Sequence, residues 1–254
     1  LNFSNKLIGA TLGGAVVQDK LFYFVSAESY DATPPLEWGP ANAGLSNAAA
    51  VTQAQLDQIT QIARDVYGVE AGDWNLNPEE TDEKLLVKLD WNISDAHRAA
   101  YTYQYNKGNQ TQGNQSSSTN MRLSSNWYNK TETLNNHAFK LYSDWSDEFS
   151  TQISATYMDV ATEQKSLGNF GEVAITVPRF GSTTNQTATV TLGSDISRHS
   201  NDLKKKTWIL AADGEYLLDE HRVTFGYQLK RLDIFNLFLQ RTKGQYSFNS
   251  IADF

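Results

Sequence analysis

The chain has 254 residues, of which 12% are aromatic, and a formal net charge of −8 at pH 7. The acidic balance argues against nucleic acid as a partner, and the absence of cysteine excludes disulfides, thiolate metal sites and cysteine nucleophiles. No run of about 18 apolar residues occurs, which excludes a transmembrane helix but not a membrane barrel, in which every second strand residue can be polar.

The first predicted pair of strands covers residues 7–17 and 21–28, joined by a turn at 18–20. Apolar and polar residues alternate along the second of these strands. Successive strand residues point to opposite faces, so the alternation predicts one sheet face in an apolar medium and one in water. That medium is either a protein core or lipid.

The connection that follows, residues 31–82, contains a predicted amphipathic helix. Thr52 is a plausible N-cap with Gln55 three residues later, and apolar residues recur at helical spacing over 53–66. Tyr67-Gly68 then supplies a stop. We expect one helix on a loop outside the sheet. The alternative is a helix packed on a soluble sheet.

Three further pairs of predicted strands repeat the design of the first, at 84–93 with 98–106, 139–145 with 149–157, and 208–216 with 223–230. In the clearest strand, one face carries Leu85, Leu89 and Trp91. The other face of that strand carries Lys88 and Asp90. Four hairpins of this kind predict an antiparallel meander.

The connections alternate between tight turns and the long segments 31–82, 107–134 and 161–204. Long loops count against strands in a compact soluble domain, whereas an outer-membrane barrel has short periplasmic turns and long extracellular loops. Residues 108–126 are rich in Asn, Gln, Ser and Thr, so we expect them to bury almost nothing apolar. Residues 173–177 are expected to form either a small hairpin or an irregular loop.

Aromatic residues lie near both ends of the predicted strands. Those near the tight turns are Trp91, Trp145 and Tyr216, and those toward the long loops are Tyr103, Tyr105 and Trp208. Two aromatic girdles around an aliphatic band are typical of a lipid-facing barrel. In a soluble sandwich the aromatics would more often lie in mid-strand.

Several of these segments resemble TonB-dependent outer-membrane receptors of the Oar-like type. The stretch 9–24, Gly-Ala-Thr-Leu-Gly-Gly-Ala-Val-Val-Gln-Asp-Lys-Leu-Phe-Tyr-Phe, is similar to their first barrel hairpin, with Ala15 where proline is usual and Gln18 where a basic residue is usual. Residues 84–98 are similar to the next hairpin. Further similar segments lie at 221–227, 236–238 and 244–254.

The resemblance implies an all-β fold, an antiparallel up-and-down transmembrane β-barrel segment of about eight strands from a barrel of about 22. Residues 1–254 are then part of the barrel domain, without the signal peptide, the plug domain or the C-terminal strands. The implied location is the bacterial outer membrane. The implied partners are outer-membrane lipid, the protein's own plug, the TonB–ExbB–ExbD complex and a bulky solute that is taken up or exported.

The fold assigns sites to two surfaces. The polar strand faces would line the lumen and contact the plug, through Lys84, Lys88, Asp90, Arg98, Lys140, Asp144, Asp213, Glu215, Arg222 and Lys230. Loop aromatics are candidate ligand contacts, at Trp38, Trp74, Trp127, Tyr128 and Phe170. The alternative for each of these aromatics is packing within the loops.

No pattern predicts an enzyme, a cofactor or a metal site. His97, His137, His199 and His221 are too far apart to show a ligand spacing, and no nucleophile elbow or phosphate loop is present. The main rival to the transporter is a soluble or surface-exposed β-sandwich that binds carbohydrate or protein. A second rival is a passive porin without a plug.

Overall fold

The computed structural model describes residues 3–113 and 115–254. Its elements, in chain order, are β1 Ser4–Val17, β2 Leu21–Thr33, β3 Trp38–Gly39, β4 Asn47–Ala48, α1 Gln53–Asp65, β5 Glu80–Asn92, β6 His97–Gln112, β7 Asn120–Arg122, β8 Tyr128–Asp144, β9 Phe149–Ser166, β10 Glu172–Pro178, β11 Thr187–Leu192, β12 Ser200–Leu218, β13 His221–Leu239 and β14 Gln245–Phe248. Short 3₁₀ turns cover Ser124–Asn126 and Ile196–Arg198.

The main element is an eight-stranded sheet with the order β1-β2-β5-β6-β8-β9-β12-β13. Each pair of neighbours is antiparallel, so the chain runs up and down across the sheet as predicted. The tight turns all lie at one end of the sheet, and the long connections lie at the other. Two of the tight turns contain an aspartate with positive φ, Asp19 and Asp219.

One face of this sheet is apolar and is not covered by a second layer. Directly paired residues share a face, and one row across it consists of Tyr23, Leu89, Tyr101, Phe139, Ala155, Leu210 and Leu229. Leu89, Ile153 and Phe225 on this face are 38%, 48% and 57% exposed. The soluble sandwich is therefore wrong, because its apolar face would be buried against another sheet.

The strands extend further toward the long connections than the alternation predicts. Strand β6 continues to Gln112 and β9 to Ser166, while β8 begins at Tyr128 and β12 at Ser200. Both faces are polar over much of these extensions, so hydropathy does not alternate there although the backbone ladder continues. Alternation of apolar and polar residues therefore predicts only the part of each strand that lies beside an apolar medium. The hydrogen-bonded strand extends beyond that part.

The long connections pack together into a compact cap (residues 34–79, 115–127, 167–199 and 240–254). It contains a four-stranded sheet in the order β14-β10-β11-β7, with one face against α1. The expected hairpin at 173–177 is confirmed as β10–β11. The outer pairs of this sheet, β10 with β14 and β11 with β7, are parallel, unlike the barrel strands.

The cap holds the main apolar core of the described residues. Its members are Ala49, Val51, Leu56, Ile59, Ala63, Ala71, Met121, Leu123, Val173, Ile175, Val177, Ala188, Val190, Leu192 and Phe254. The prediction that 108–126 buries almost nothing apolar is wrong, because Met121 and Leu123 both lie in this core. Met121 sits on the short strand β7 and Leu123 follows it directly, and both segments are hydrogen-bonded to β11, a partner that local composition does not reveal.

The helix α1 confirms the predicted helix near 53–66. Its capping box is present: the Gln55 main-chain N–H donates to Thr52 Oγ1 at 3.2 Å, and the Thr52 N–H donates to Gln55 Oε1 at 2.8 Å. Leu56, Ile59 and Ala63 form its buried stripe. Over the described part of the chain, no helix is both long enough and apolar enough to cross a bilayer.

Replacing Thr52 by Ala removes the side-chain acceptor of the capping box. We expect this change to destabilise α1 by about 1 kcal/mol, which would speed hydrogen exchange of the α1 amides about fivefold. The measurement is exchange mass spectrometry on the whole protein. Thr52→Ser keeps the hydroxyl and should exchange like the original. Equal exchange in the two variants would contradict this role of the cap residue.

Replacing Ile153 by Arg puts a charge in the middle of the outward apolar face. If lipid covers this face, the change costs about 2–4 kcal/mol and reduces the fraction of heat-modifiable, folded protein in outer-membrane preparations. Ala161→Arg is the matched control, because Ala161 faces the same way on the same strand but lies above the apolar band, where the cost is about 0–1 kcal/mol. Equal losses of folded protein in the two variants would contradict a lipid cover on this face.

Candidate functional site

The face opposite the apolar one carries charged and polar side chains from β2 to β13, with some apolar residues such as Phe24 and Ile209 among them, and we call it the polar wall. The strand register places all the predicted lumen residues on it: Lys84, Lys88, Asp90, Arg98, Lys140, Asp144, Asp213, Glu215, Arg222 and Lys230. The grouping follows from the two-residue period of strands, which sends every second side chain to one face. Sequence alone therefore grouped these ten residues on one face, whereas Glu28, which lies on the same face, was not among the predicted lumen residues.

Several charges of the polar wall are paired within it. The paired groups are Lys84 with Glu28 at 2.7 Å, Lys88 with Asp90 at 2.8 Å, and Arg222 with Glu215 at 3.4 Å. The Arg98 guanidinium lies 4.6 Å from the ring centre of Tyr142. Lys140, Asp144, Asp213 and Lys230 form no ion pair with another described residue. These four groups are available to a partner that faces the wall.

The wall contains an acidic recess of about 480 Å³ near the tight turns. Asp144, Asp213 and Glu215 line it, together with Gln152 and Gly226. A Cβ at Gly226 would lie 2.3 Å from Asp213 Oδ1, so the glycine leaves room for that carboxylate. The recess is suited to cationic or hydrogen-bond-donating groups.

On the outward face, the apolar band ends at a sharp row of polar residues. In β9 the outward apolar series runs from Phe149 to Tyr157, and the next outward residue is Asp159, which pairs with Lys206 of β12. A strand of about nine residues is about 30 Å long, or about 20 Å tall at a tilt of about 45°. This height fits the apolar band of an outer-membrane barrel, about 25 Å.

Aromatic rings line both ends of this band, as predicted. At the long-loop end, Tyr103 and His137 have ring centres 4.8 Å apart, and Tyr157 and Trp208 have ring centres 4.6 Å apart. At the tight-turn end, Trp91 and Trp145 are exposed. Such rings suit the boundary between hydrocarbon and water because they are apolar with a polar edge.

Beyond the upper girdle, the outward residues of β5, β6, β8, β9 and β12 are mostly polar and form a collar, whereas the outward face of β13 carries Phe235, Leu237 and Leu239 there. A groove of about 570 Å³ in the collar is lined by Glu83, Lys107, Asn109, Glu163 and Lys165, among others. Lys165 lies past the lipid-facing length of β9. The hydrogen bond from Lys165 to the Glu163 carboxylate, at 2.7 Å, raises the pKa of the Lys165 amine above its usual range.

A cluster centred on Arg198 joins the cap to the barrel strands. The Arg198 guanidinium donates to Tyr128 Oη at 2.8 Å and to Gln164 Oε1 at 2.8 Å, and it lies 3.3 Å from Asp195. Its carbon centre is 4.2 Å from the Tyr128 ring centre. The local sequence around Arg198 shows only the contact with Asp195, because the other two partners, Tyr128 and Gln164, come from distant strands.

The predicted ligand aromatics divide into two groups. Trp127 and Tyr128 are only 1% and 6% exposed, which favours the alternative given for them, packing within the loops. The physical reason is that the second long connection folds into the cap. Trp74 is half-buried and donates to Gln53 at 2.9 Å, and Trp38 is half-buried as well. Phe170 lines an apolar cavity of the cap.

Metal-binding side chains are dispersed. Within residues 3–113 and 115–254, no three His, Cys, Asp or Glu side chains are grouped in a way that could hold a metal ion. His199 is buried in the cap, with Nε2 3.0 Å from the Ser194 carbonyl oxygen.

Comparison with solved structures gives two similar chains. The outer membrane transporter YddB from Escherichia coli superposes with a TM-score of 0.61 at 8% identity, over 97% of this chain and 28% of the transporter's chain. At this identity the match shows a shared fold. The CymD monoaromatic hydrocarbon channel aligns at 10% identity over 91% of this chain and 71% of the channel, with a TM-score of 0.26.

No curated protein matches the sequence. A family model does match it, over residues 40–254, and its description is the outer membrane beta barrel domain. That match covers most of the chain and agrees with the uncovered apolar band, the aromatic girdles and the up-and-down sheet. The chain belongs to the outer membrane β-barrel domain family, and its place is the bacterial outer membrane.

Proposed function

We propose that the chain forms part of the barrel wall and the outer loops of a TonB-dependent transporter of the Oar-like type. In this proposal the transporter takes up a bulky solute, using force from the TonB–ExbB–ExbD complex. The observation that carries it is the polar wall, where charges of both signs without an ion-pair partner lie on the face opposite the apolar band. A transporter plug is a polar domain that such a wall could hold. The proposal assigns transport and no catalysis.

Both edges of the eight-stranded sheet support a larger barrel. Strands β1 and β13 are exposed along their whole length, and each has one partner. In a bilayer every backbone N–H and C=O group needs a partner, so membrane sheets close into barrels. We therefore propose that further strands pair with β1 and β13, to a total of about 22, the size of plugged outer-membrane transporters.

The cap supports a receptor role for the outer surface. Long loops that merely connected strands would not need a core, yet those of this chain share one that includes α1 and a four-stranded sheet. A rigid cap can hold a binding surface in a fixed geometry, which lowers the entropy lost on binding. The solute would be bound there before it passes the plug.

The test of the plugged state is conductance in planar lipid bilayers. We expect the full-length protein to show no steady open pore, because the plug fills the lumen, and to conduct after a mild denaturant unfolds the plug. A passive porin would conduct from the start, and that result would overturn the proposal. Binding of the isolated periplasmic domain of TonB to the full-length protein, measured by calorimetry, tests the energy-coupling step separately.

The polar wall should hold the plug through its acidic recess. The double change Asp213→Asn with Glu215→Gln keeps the side-chain sizes but removes two charges, so we expect a looser plug and leak conductance in the full-length protein. The matched control is Glu163→Gln with Asp202→Asn, a directly paired couple on the outward collar. The control should stay closed. Equal leaks, or none in either variant, would contradict plug contact at this recess.

A further inference from the structure

The cap contains an apolar cavity of about 470 Å³ between the segment that follows α1 and strand β14. This volume lies within the range of small-molecule sites, about 300–1,000 Å³. Its wall residues come from four parts of the chain, around residues 67–69, 169–173, 192 and 243–254. It is separate from the polar wall and from the acidic recess.

Five of the eleven residues that line the cavity are aromatic. Tyr67 stacks on Phe254 with ring centres 4.9 Å apart, and Phe248 meets Phe254 edge-on at 5.1 Å. The Tyr67 hydroxyl donates to the Phe254 main-chain oxygen at 2.6 Å, which holds the Tyr67 ring in place. Phe170 and Tyr246 complete the wall. Fixed aromatic rings favour a flat ligand, since stacking then needs no reorganisation.

Two glycines allow the chain to pack closely beside Phe170, on one side of the cavity. Gly193 has a φ of +80°, and a Cβ there would lie 2.8 Å from the Phe170 ring. A Cβ at Gly171 would lie 2.4 Å from the Lys243 carbonyl oxygen. Both close approaches need residues without side chains. The packing therefore places Phe170 and the segment of Lys243 next to the same space.

A cation lies at the rim of this apolar space. Lys243 Nζ is 3.3 Å from Ser194 Oγ, and the Lys243 main-chain N–H donates to His199 Nδ1 at 3.0 Å. Lys243 forms no ion pair with a described carboxylate, and no Asp or Glu lines the cavity. The Asn169 side chain adds a polar group to the lining. The charge of the amine is thus available to an anionic ligand group.

We propose that this cavity binds a flat apolar ring system that carries one anionic group, as in an aryl carboxylate. The ring would lie among Tyr67, Phe170 and Tyr246, and the anion would meet the Lys243 amine. Charge and shape both support this occupant: the rings suit a flat apolar group, and the single cation requires a counter-charge. The inference rests on the proposed uptake function in one respect, because it names the moiety by which the transported solute is recognised.

The test measures binding without transport, so that the two proposals fail independently. The full-length protein in lipid nanodiscs is titrated with 2-naphthoate and with its neutral analogue 2-naphthalenemethanol, and empty nanodiscs correct for partition into lipid. We expect saturable binding of 2-naphthoate with one site per protein, at least tenfold tighter than that of the alcohol. A closed cavity, filled by other parts of the protein, would show no saturable binding of either probe and would overturn the proposal.

Variants then locate the site. Lys243→Met should remove the preference for the anion and leave weak binding of the alcohol, and Lys243→Arg should restore the preference. Phe170→Ala should weaken the binding of both probes. The matched controls are Lys107→Met on the outward collar and Phe180→Ala, an exposed cap aromatic outside the cavity. Binding that Lys243→Met and Phe170→Ala leave unchanged would overturn the proposal, even if TonB coupling were established.

Discussion

The structure depends on one constraint: the apolar face of the eight-stranded sheet has no protein layer over it, so lipid must cover it. The band of outward apolar residues is about as tall as the hydrocarbon region of an outer membrane. Its upper limit is abrupt, at the row that includes Asp159 and Lys206. Hydrogen bonds along the antiparallel ladder satisfy the backbone of the six inner strands inside this band, which is the requirement for any structure in hydrocarbon.

The chain divides its apolar residues between two media. In the barrel they face outward and stay exposed, whereas in the cap they are buried against α1 and the mixed sheet. The cap is thus a small protein core built from loops, and the hydrophobic effect orders it. The Arg198 cluster fastens it to β8 and β9. A rigid cap beside a charged strand face is consistent with the receptor role proposed above.

Much of the barrel could be predicted from sequence, because strand faces follow from a period of two. The polar wall and α1 were predicted for local reasons, the alternation and the Thr52 capping box. The cap could not be predicted in the same way. Its sheet pairs β7 with β11, and β10 with β14, across long stretches of chain, and polar composition around Met121 hides this pairing. The burial of Trp127 and Tyr128 could not be predicted for the same reason, since it depends on segments distant in sequence.

The most direct test of the central claim is quenching by brominated lipid. Single cysteines in the full-length protein, at Gln152, Ile153 and Ser154 in β9, would carry a fluorescent label in bilayers with and without bromine on the acyl chains. The account predicts strong quenching at 153 and little at 152 and 154, because only the outward side chain meets hydrocarbon. Equal quenching at all three positions, or none at 153, would contradict it.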